Sequence, residues 1–229
     1  MDLLPHITLE TGKSPQHSII WLHGLGADGE DFVPVAREMQ LPVAVRYIFP
    51  HAPMQPVTIN NGYVMRAWYD IAANDIAAQQ DAAGIRKSQL EIEKLIGQEK
   101  QRGIAAENIF LAGFSQGGAI VLHTGLRHGE KLGGMLALST YLPLPDTLAD
   151  EASKAAQDTP IFMAHGNSDP VVPYTLGKGS AEKLSSLGHG IEWHEYAMPH
   201  SLCIEEVRDI GAWLTRRMRT NMCAASAPG

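Results

Sequence analysis

Short strand-like runs, most of them apolar, alternate along the chain with longer amphipathic segments. Each run has the length and the β-branched or aromatic content of a buried strand. The runs lie near 17–22, 43–49, 108–112, 134–139, 160–165 and 191–197. Strands that alternate with helices along a chain form a mostly parallel sheet covered by helices. We therefore predict an α/β fold with a mostly parallel central sheet and helices on both of its faces.

The segments between the runs have the apolar spacing of helices. One of them carries Phe32, Val35, Ala36 and Met39 at i, i+3, i+4 and i+7. This is the period of a helix that is buried on one side. A second helix is predicted from about 81 to 102, and a third has its apolar face between Ile204 and Met218.

Length and charge indicate a single domain that does not bind nucleic acid. The chain has 229 residues, which is enough for one core, and we see no internal repeat or linker. We predict one domain over 1–219, followed by a polar C-terminal tail over 220–229. The net charge is −7 and there is no basic stripe, which argues against nucleic acid as a partner.

The remaining composition points to the cytoplasm. The N-terminus has neither the positive region nor the apolar region of a secretory signal, and no apolar run has the length of a membrane span. We therefore expect no integral membrane association. Cys203, in a predicted helical stretch, and Cys223, in the tail, are not expected to form a structural disulfide.

The run 108–112 leads directly into Gly113-Phe-Ser-Gln-Gly117 and then into a helical segment. This is the strand–turn–helix context of a G-x-S-x-G nucleophile elbow. So tight a turn lifts the Ser115 hydroxyl clear of its own backbone and leaves little room for side chains at the two glycines. It also puts the N–H of Gln116 at the positive end of the following helix. Ser115 is therefore the predicted nucleophile, and the Gln116 N–H a predicted oxyanion donor.

A nucleophilic serine needs a base, and the base needs a group that orients it. In this class of fold the three residues occur in the order Ser, acid, His. Asp169 lies in a Gly/Pro-bounded loop after the run 160–165, and His200 lies between the run 191–197 and a long helix. We predict His200 as the base and Asp169 as the residue that fixes its tautomer.

Other acids and histidines compete for these roles. Asp158 and Asp146 are alternative acids, although both lie in polar stretches that are typical of solvated loops or helix ends. His194 is an alternative base, but it lies inside a strand-like run. His165 ends the strand before Asp169 and could pack or form a hydrogen bond there.

A second oxyanion donor is expected from the loop after the first run, Gly24-Leu-Gly-Ala-Asp-Gly29. Its glycines let the backbone turn its N–H groups toward a ligand, and the N–H of Leu25 is our candidate. The same string matches the G-x-G-x-x-G of a dinucleotide site. That alternative is disfavoured because the second run, 43–49, is followed by Pro50 and His51 where an acid for the ribose is expected.

The segment 54–75 is long and irregular, and connections of that length tend to be functional or mobile. We expect it to contribute an apolar wall to an acyl-binding site, with Met65, Trp68 and Leu142 as candidate substrate contacts. The alternative is that Trp68 and Met65 simply fill the core beneath the loop. We see no signature of a metal site or a cofactor and predict neither.

Several motifs together resemble those of a known family. They are His23-Gly-Leu-Gly-Ala-Asp-Gly29, Phe49-Pro-His-Ala-Pro53, Arg66-Ala-Trp-Tyr-Asp70, Gly113-Phe-Ser-Gln-Gly-Gly118, His165-Gly-Asn-Ser-Asp169 and Met198-Pro-His200. In this order and spacing they closely resemble the carboxylesterase / acyl-protein thioesterase family, the phospholipase/carboxylesterase branch of the α/β-hydrolases. The similarity runs from about Trp21 to Met218. Ser139-Thr-Tyr-Leu-Pro143 is similar to the bacterial carboxylesterase side of that family.

The resemblance implies the α/β-hydrolase fold and the same site residues. Carried over, it assigns Ser115 as nucleophile, Asp169 as acid and His200 as base, with the N–H groups of Leu25 and Gln116 as the oxyanion hole. We predict a serine carboxylesterase that hydrolyses short- to medium-chain acyl esters through an acyl-enzyme.

Two other functions remain open. One is an acyl-protein thioesterase or lysophospholipase that acts on longer acyl chains, and the other is a non-catalytic binding module, which the intact Ser–Asp–His set disfavours. The expected partner is a small-molecule acyl ester or thioester, and the sequence leaves a homodimer open.

Overall fold

The computed structural model describes residues 2–73 and 80–225, the side chains of 220–225 excepted. The strands in chain order are β1 (His6–Glu10), β2 (His17–Leu22), β3 (Val45–Pro50), β4 (Met54–Val57), β5 (Tyr63–Arg66), β6 (Ile109–Phe114), β7 (Gly134–Leu138), β8 (Ile161–Gly166) and β9 (Ile191–Tyr196). Seven of them form a central sheet in the order β1-β3-β2-β6-β7-β8-β9. Strand β1 is antiparallel to β3 and every other pair is parallel. The predicted α/β-hydrolase fold with a mostly parallel sheet is confirmed.

The helices are α1 (Val33–Glu38), α2 (Ala82–Gln101), α3 (Gln116–Arg127), α4 (Leu148–Glu151), α5 (Tyr174–Ser186) and α6 (Ile204–Ala225). Alternate residues along each central strand point to opposite faces of the sheet. On one face the strands pack with buried residues of α2, α3 and α5, and on the other with those of α1 and α6. Helices therefore cover both faces, as predicted.

Two parts of the fold differ from the sequence prediction. Strand β1 was not predicted, because it is a half-buried edge strand and has no continuous apolar run. The segment 54–75 is more regular than predicted, since β4 and β5 form an antiparallel hairpin. Its turn uses the left-handed residues Asn61 and Gly62, with φ of 55° and 74°. Most of this hairpin is exposed, so it lacks the apolar periodicity by which buried strands are predicted.

The C-terminal helix extends past the predicted domain boundary. Helix α6 continues to Ala225, whereas the polar tail was predicted to start at 220, and residues 226–229 lie outside the described part of the chain. Cys203 precedes α6, and its Sγ accepts a hydrogen bond from the N–H of Glu206. None of the helices in the described ranges combines the length and the apolar character needed to cross a bilayer.

Candidate active site

The predicted site residues follow strands of the central sheet. Leu25 follows β2, Ser115 follows β6, Asp169 follows β8 and His200 follows β9. These strands run parallel to one another. Their carboxyl ends therefore meet at one edge of the sheet, where open α/β folds bind their ligands.

Ser115 occupies a strained turn between β6 and α3. Its backbone angles, φ of 54° and ψ of −121°, lie outside the regions that residues other than glycine ordinarily adopt. The turn is held from the neighbouring strand, since the Ser115 N–H donates to Leu138 O at 2.9 Å and the Thr140 hydroxyl donates to Ser115 O at 2.7 Å. A Cβ atom on Gly117 would lie 2.5 Å from His23 O. The elbow therefore requires glycine there, as its sequence predicts.

The Asp169 carboxylate is buried and receives donors at both oxygens. Oδ1 accepts the N–H groups of Val171 and Val172, at 2.8 and 2.9 Å. Oδ2 accepts the Nδ1–H of His200 at 2.7 Å. Because a carboxylate only accepts, His200 carries its proton on Nδ1, and Nε2 is left unprotonated in the neutral ring. This is the tautomer that a general base requires.

The ring of His200 lies against the elbow. The Phe114 ring, next to Ser115 in the chain, is 4.7 Å from the His200 ring between centroids. The His200 side chain keeps 15% of its surface exposed, whereas that of Asp169 is fully buried. The structure thus places the bonded Asp169–His200 pair against the residue that precedes Ser115, with the acid buried and the histidine partly exposed.

Backbone hydrogen bonds join the loop that carries the acid to the loop that carries the base. The N–H groups of Asn167 and Ser168 donate to the carbonyls of Tyr196 and Met198. Gly166 lies so close to Met198 O that a Cβ atom would clash with it. The β8–β9 pairing is therefore extended beyond the strands, and it sets the position of Asp169 relative to His200.

The alternative acids and the alternative base lie away from Ser115. Asp158 and Asp146 are exposed, and Asp158 comes just before β8, at the opposite end of that strand from Asp169. His194 stacks on Phe162 at 4.5 Å, on a face of the sheet, with its Nε2 3.2 Å from Glu192 Oε1. None of the three is placed to act with Ser115.

The glycine-rich loop after β2 lies against the nucleophile. A Cβ atom on Gly24 would be 3.5 Å from Ser115 Cβ. Among the described residues, neither the N–H of Leu25 nor that of Gln116 donates a hydrogen bond. Two free backbone donors next to Ser115 are what an oxyanion hole requires. The same loop does not open directly into a helix, because α1 starts only at Val33, which further disfavours a dinucleotide site.

His23 supports this loop from beneath, a role that sequence reasoning missed. Its Nδ1–H donates to Gly24 O at 2.7 Å, and its Nε2 accepts the Ala52 N–H at 3.1 Å. Burial lowers the pKa of His23 to about 4, so the ring is neutral at pH 7. The only signal in the sequence is a histidine directly after the predicted strand 17–22.

The side chains of Gln116 and Trp68 hold the glycine-rich loop after β2, residues 24–29, which we call the oxyanion loop. The Gln116 side chain accepts the Trp68 N–H and donates to Tyr69 O, both at 2.8 Å. The indole N–H of Trp68 donates to His23 O at 2.8 Å. The residues after the hairpin are therefore tied both to the elbow and to the loop after β2. No local sequence pattern predicts these bonds, which join residues about 45 positions apart.

The candidate substrate contacts have unequal positions. Trp68 is 2% exposed and Leu142 is 4% exposed, and both belong to the apolar core. For Trp68 this burial is that of the alternative, a core residue beneath the loop, while its role as a substrate contact stays a prediction. Met65 is half-buried, and its Sδ would lie 3.6 Å from a Cβ atom on Gly26. Of the three, Met65 is at the rim of the oxyanion loop.

Within the described ranges, no group of three or more His, Cys, Asp or Glu side chains is arranged to hold a metal ion.

The chain is similar to known proteins along most of its length. A family model described as phospholipase/carboxylesterase matches residues 6–217. The chain is 39% identical to acyl-protein thioesterase 1 of Mycosarcoma maydis over 227 residues, which cover 92% of this chain and 95% of that protein. It is 42% identical over 212 residues to acyl-protein thioesterase 1 of Neurospora crassa, with 88% and 86% covered.

A solved structure has the same fold along nearly its whole length. The crystal structure of Arabidopsis thaliana SOBER1 superposes with a TM-score of 0.84 at 32% identity, covering 88% of this chain and 99% of that one.

Proposed function

The chain belongs to the phospholipase/carboxylesterase family of α/β-hydrolases and is a hydrolase of acyl esters; on this premise we propose that it releases acyl groups from proteins by thioester hydrolysis. The names of the relatives support this proposal, because they favour a thioesterase over the short- to medium-chain carboxylesterase predicted from the sequence. The single observation that carries the mechanism is the buried Asp169–His200 pair beside the strained Ser115.

In the proposed reaction, Ser115 Oγ attacks the acyl carbonyl carbon while His200 Nε2 takes its proton. The negative charge on the carbonyl oxygen is stabilised by the N–H groups of Leu25 and Gln116. The C–S bond then breaks, the acyl group stays on Ser115, and the thiol leaves with a proton from His200. Water, deprotonated by His200, hydrolyses the acyl-enzyme, and Asp169 stabilises the imidazolium in both half-reactions.

A thiol leaving group needs less proton transfer from His200 during acylation than an alcohol does. A cysteine thiol has a pKa of about 8.5, so its C–S bond can break before proton transfer from His200 is complete, whereas an alcohol needs that proton as it departs. Deacylation is the same for both substrate classes because both pass through the acyl-Ser115 ester. A matched thioester and oxygen ester with one acyl group therefore differ only in acylation.

An apolar surface beside the site supports the choice of longer acyl chains. Met54, Tyr63 and Val64 of the β4–β5 hairpin are 59%, 70% and 52% exposed. The hairpin is joined to the oxyanion loop by the Gly26 N–H, which donates to Arg66 O at 2.9 Å. Side chains alternate between the two faces of a strand, so Tyr63 shares a face of the hairpin with Met65, whereas Met54 and Val64 lie on the other face. An acyl chain that leaves the site past Met65 would lie along the Tyr63 face and remove apolar surface from water.

The test combines a chain-length series of oxygen esters with one long-chain thioester. p-Nitrophenyl esters from acetyl to palmitoyl and an S-palmitoyl cysteine peptide are given to the wild type and to Ser115→Ala. We expect hydrolysis of the S-palmitoyl peptide, a rise of kcat/KM with chain length, and a loss of about 10⁴-fold or more in kcat for Ser115→Ala. A fluorophosphonate should label the wild type stoichiometrically and leave the variant unlabelled.

Two results would overturn parts of the proposal. Activity that peaks at acetyl esters, without hydrolysis of the S-palmitoyl peptide, would return the function to a short-chain carboxylesterase. Wild-type turnover in folded Ser115→Ala would remove the proposed nucleophile altogether.

Location and assembly stay predictions. Cys203 is a free thiol, which agrees with the reducing environment of the cytoplasm, and cell fractionation tests it. The mass in solution, measured by light scattering across a concentration series, decides whether the chain forms a homodimer.

A further inference from the structure

His165 lies next to the catalytic acid without belonging to the proposed triad. It is the penultimate residue of β8 (Ile161–Gly166) and is 1% exposed. Its Nε2 is 2.9 Å from Val172 O and 3.4 Å from Asp169 Oδ2. A carbonyl oxygen only accepts, so the ring proton is on Nε2 and is donated chiefly to Val172 O. The longer contact with Asp169 is mainly electrostatic.

Val172 connects this hydrogen bond to the carboxylate. Its N–H donates to Asp169 Oδ1 at 2.9 Å, and its carbonyl accepts the His165 N–H. The end of β8 is thereby tied to the residue that holds the acid from the side opposite His200. If this tie is removed, the Asp169 loop keeps its fold through other bonds but loses a constraint on the direction of the carboxylate.

The charge state of His165 suits this role. Burial lowers its pKa, with smaller opposing effects from the bond to Val172 and from Asp169. The ring is therefore neutral when the enzyme works at pH 7. A neutral neighbour leaves the negative charge of Asp169 available to the imidazolium that forms on His200 during the reaction.

Helix α5 packs against the His165 ring at Gly177. A Cβ atom on Gly177 would overlap His165 Nδ1, whereas a Cβ atom on Gly179 in the same helix would meet nothing within 4 Å. Tyr174 and Trp193 flank the ring at centroid distances of 6.2 and 6.3 Å. Glycine at 177 therefore provides the space in which the imidazole sits against Val172.

We propose that His165 is a positioning residue for the reaction: held by Gly177, it fixes the Val172 peptide and so aims the Asp169 carboxylate at His200. The proposal rests on the triad proposed above. It assigns to His165 no contact with substrate and no proton transfer.

Two alanine variants in one helix provide the first test. Gly177→Ala displaces the His165 ring, while Gly179→Ala adds the same methyl group to open space. Alanine favours helix at both positions. We expect Gly179→Ala to keep wild-type kinetics. We expect Gly177→Ala to lose about 10-fold to 100-fold in kcat, the effect of a misplacement of about 1 Å, with KM unchanged.

The pH profile separates positioning from a general loss of structure. A carboxylate aimed at His200 stabilises its protonated form. In Gly177→Ala the acid limb of kcat/KM against pH should therefore shift to lower pH, since that limb reports the protonation of the free base. Gly179→Ala should keep the wild-type limb.

Replacement of His165 itself gives an independent readout. The amide N–H of Gln can replace the donor to Val172 O, whereas Leu fills the space without a donor. We expect His165→Leu to lose kcat as Gly177→Ala does, and His165→Gln to recover at least about 10-fold of that loss. Circular dichroism restricts the comparison to folded variants, and the Gly177/Gly179 pair decides the matter if His165→Leu does not fold.

The controls distinguish this proposal from the function on which it rests. Full activity in Ser115→Ala would remove the triad and the role of His165 with it. If Ser115→Ala is inactive but Gly177→Ala matches Gly179→Ala in kcat and in pH profile, the triad stands and His165 has only a packing role. The same conclusion follows if His165→Leu and His165→Gln are equally active.

Discussion

The two halves of the candidate site are held in different ways. The acid–base half, the loops after β8 and β9 with Asp169 and His200, is joined by backbone hydrogen bonds that continue the β8–β9 pairing. The oxyanion half, the loop after β2 and the start of α3 with Leu25 and Gln116, depends on side chains. There the Gln116 amide and the Trp68 indole connect segments that are distant in the sequence.

The difference shows where each half is sensitive to mutation. Backbone bonds survive most substitutions, so the acid–base half should respond chiefly to changes of the reacting groups and of its one side-chain support named above, His165 on Val172. Side-chain bonds disappear with their side chain, so the oxyanion half should respond to residues that never touch the substrate.

The largest effect is expected in the acid–base half from Asp169→Asn. The amide keeps the shape of the carboxylate but favours the wrong tautomer of His200 and no longer stabilises its charge. We expect kcat to fall by about 10³-fold to 10⁴-fold, measured on one ester at saturation.

Asp158→Asn is the matched control, because Asp158 is exposed at the other end of β8, and it should behave as the wild type. A mild Asp169→Asn beside a severe Asp158→Asn would show that the acid is assigned to the wrong residue.

An intermediate effect is expected in the oxyanion half from Trp68→Phe. The variant removes the donor to His23 O and leaves that carbonyl buried without its partner, which costs about 1–3 kcal/mol of unfolding free energy. Because the bond also positions the loop that carries Leu25, kcat should fall about 10-fold. Urea unfolding and steady-state kinetics measure the two effects.

Trp213→Phe controls for the lost ring volume. Trp213 is also fully buried, and its indole N–H donates no hydrogen bond among the described residues. The comparison of the two halves fails if both variants lose the same stability and neither loses kcat.

The smallest effect on activity is expected from Glu206→Gln, beside the acid–base half. Glu206 lies in the first turn of α6 after His200 and is 0% exposed. Burial, with a contribution from Asp209, raises its pKa to about 8. In the unfolded chain this carboxyl ionises near pH 4.5. The unfolded state therefore binds fewer protons between these values, and the wild type loses stability as pH rises through that range.

Glu206→Gln removes this dependence, since its side chain is neutral at every pH. The variant should equal the wild type at pH 4 and exceed it at pH 8 by at least about 1.4 kcal/mol, the free energy of one pKa unit. Glu205→Gln, its exposed neighbour, should show no such trend. Parallel pH dependences of unfolding for Glu206→Gln and the wild type would contradict the raised pKa.

Much of the fold was predictable because it depends on local patterns. The six strand-like runs correspond to β2, β3, β6, β7, β8 and β9. Five of these strands are buried and therefore largely apolar, whereas β9 is half-buried and carries polar residues among its apolar ones. Strand β1 and the β4–β5 hairpin were missed because the first is only half-buried and the second is mostly exposed. Their formation depends on pairing with a partner strand, which the local pattern does not record.

Within the site, too, some features follow from the local sequence and others depend on distant residues. The sequence by itself determined which residues could react, because a strained elbow needs glycines around Ser115 and loops after parallel strands converge at one edge. Only the tertiary structure decided what holds those residues in place: the Trp68 indole on His23 O, the Gln116 amide on Trp68, and His165 on Val172. The reason is physical. A reacting group is selected by its own chemistry and its local backbone, whereas its support comes from whichever distant side chain the packed fold brings within hydrogen-bond distance.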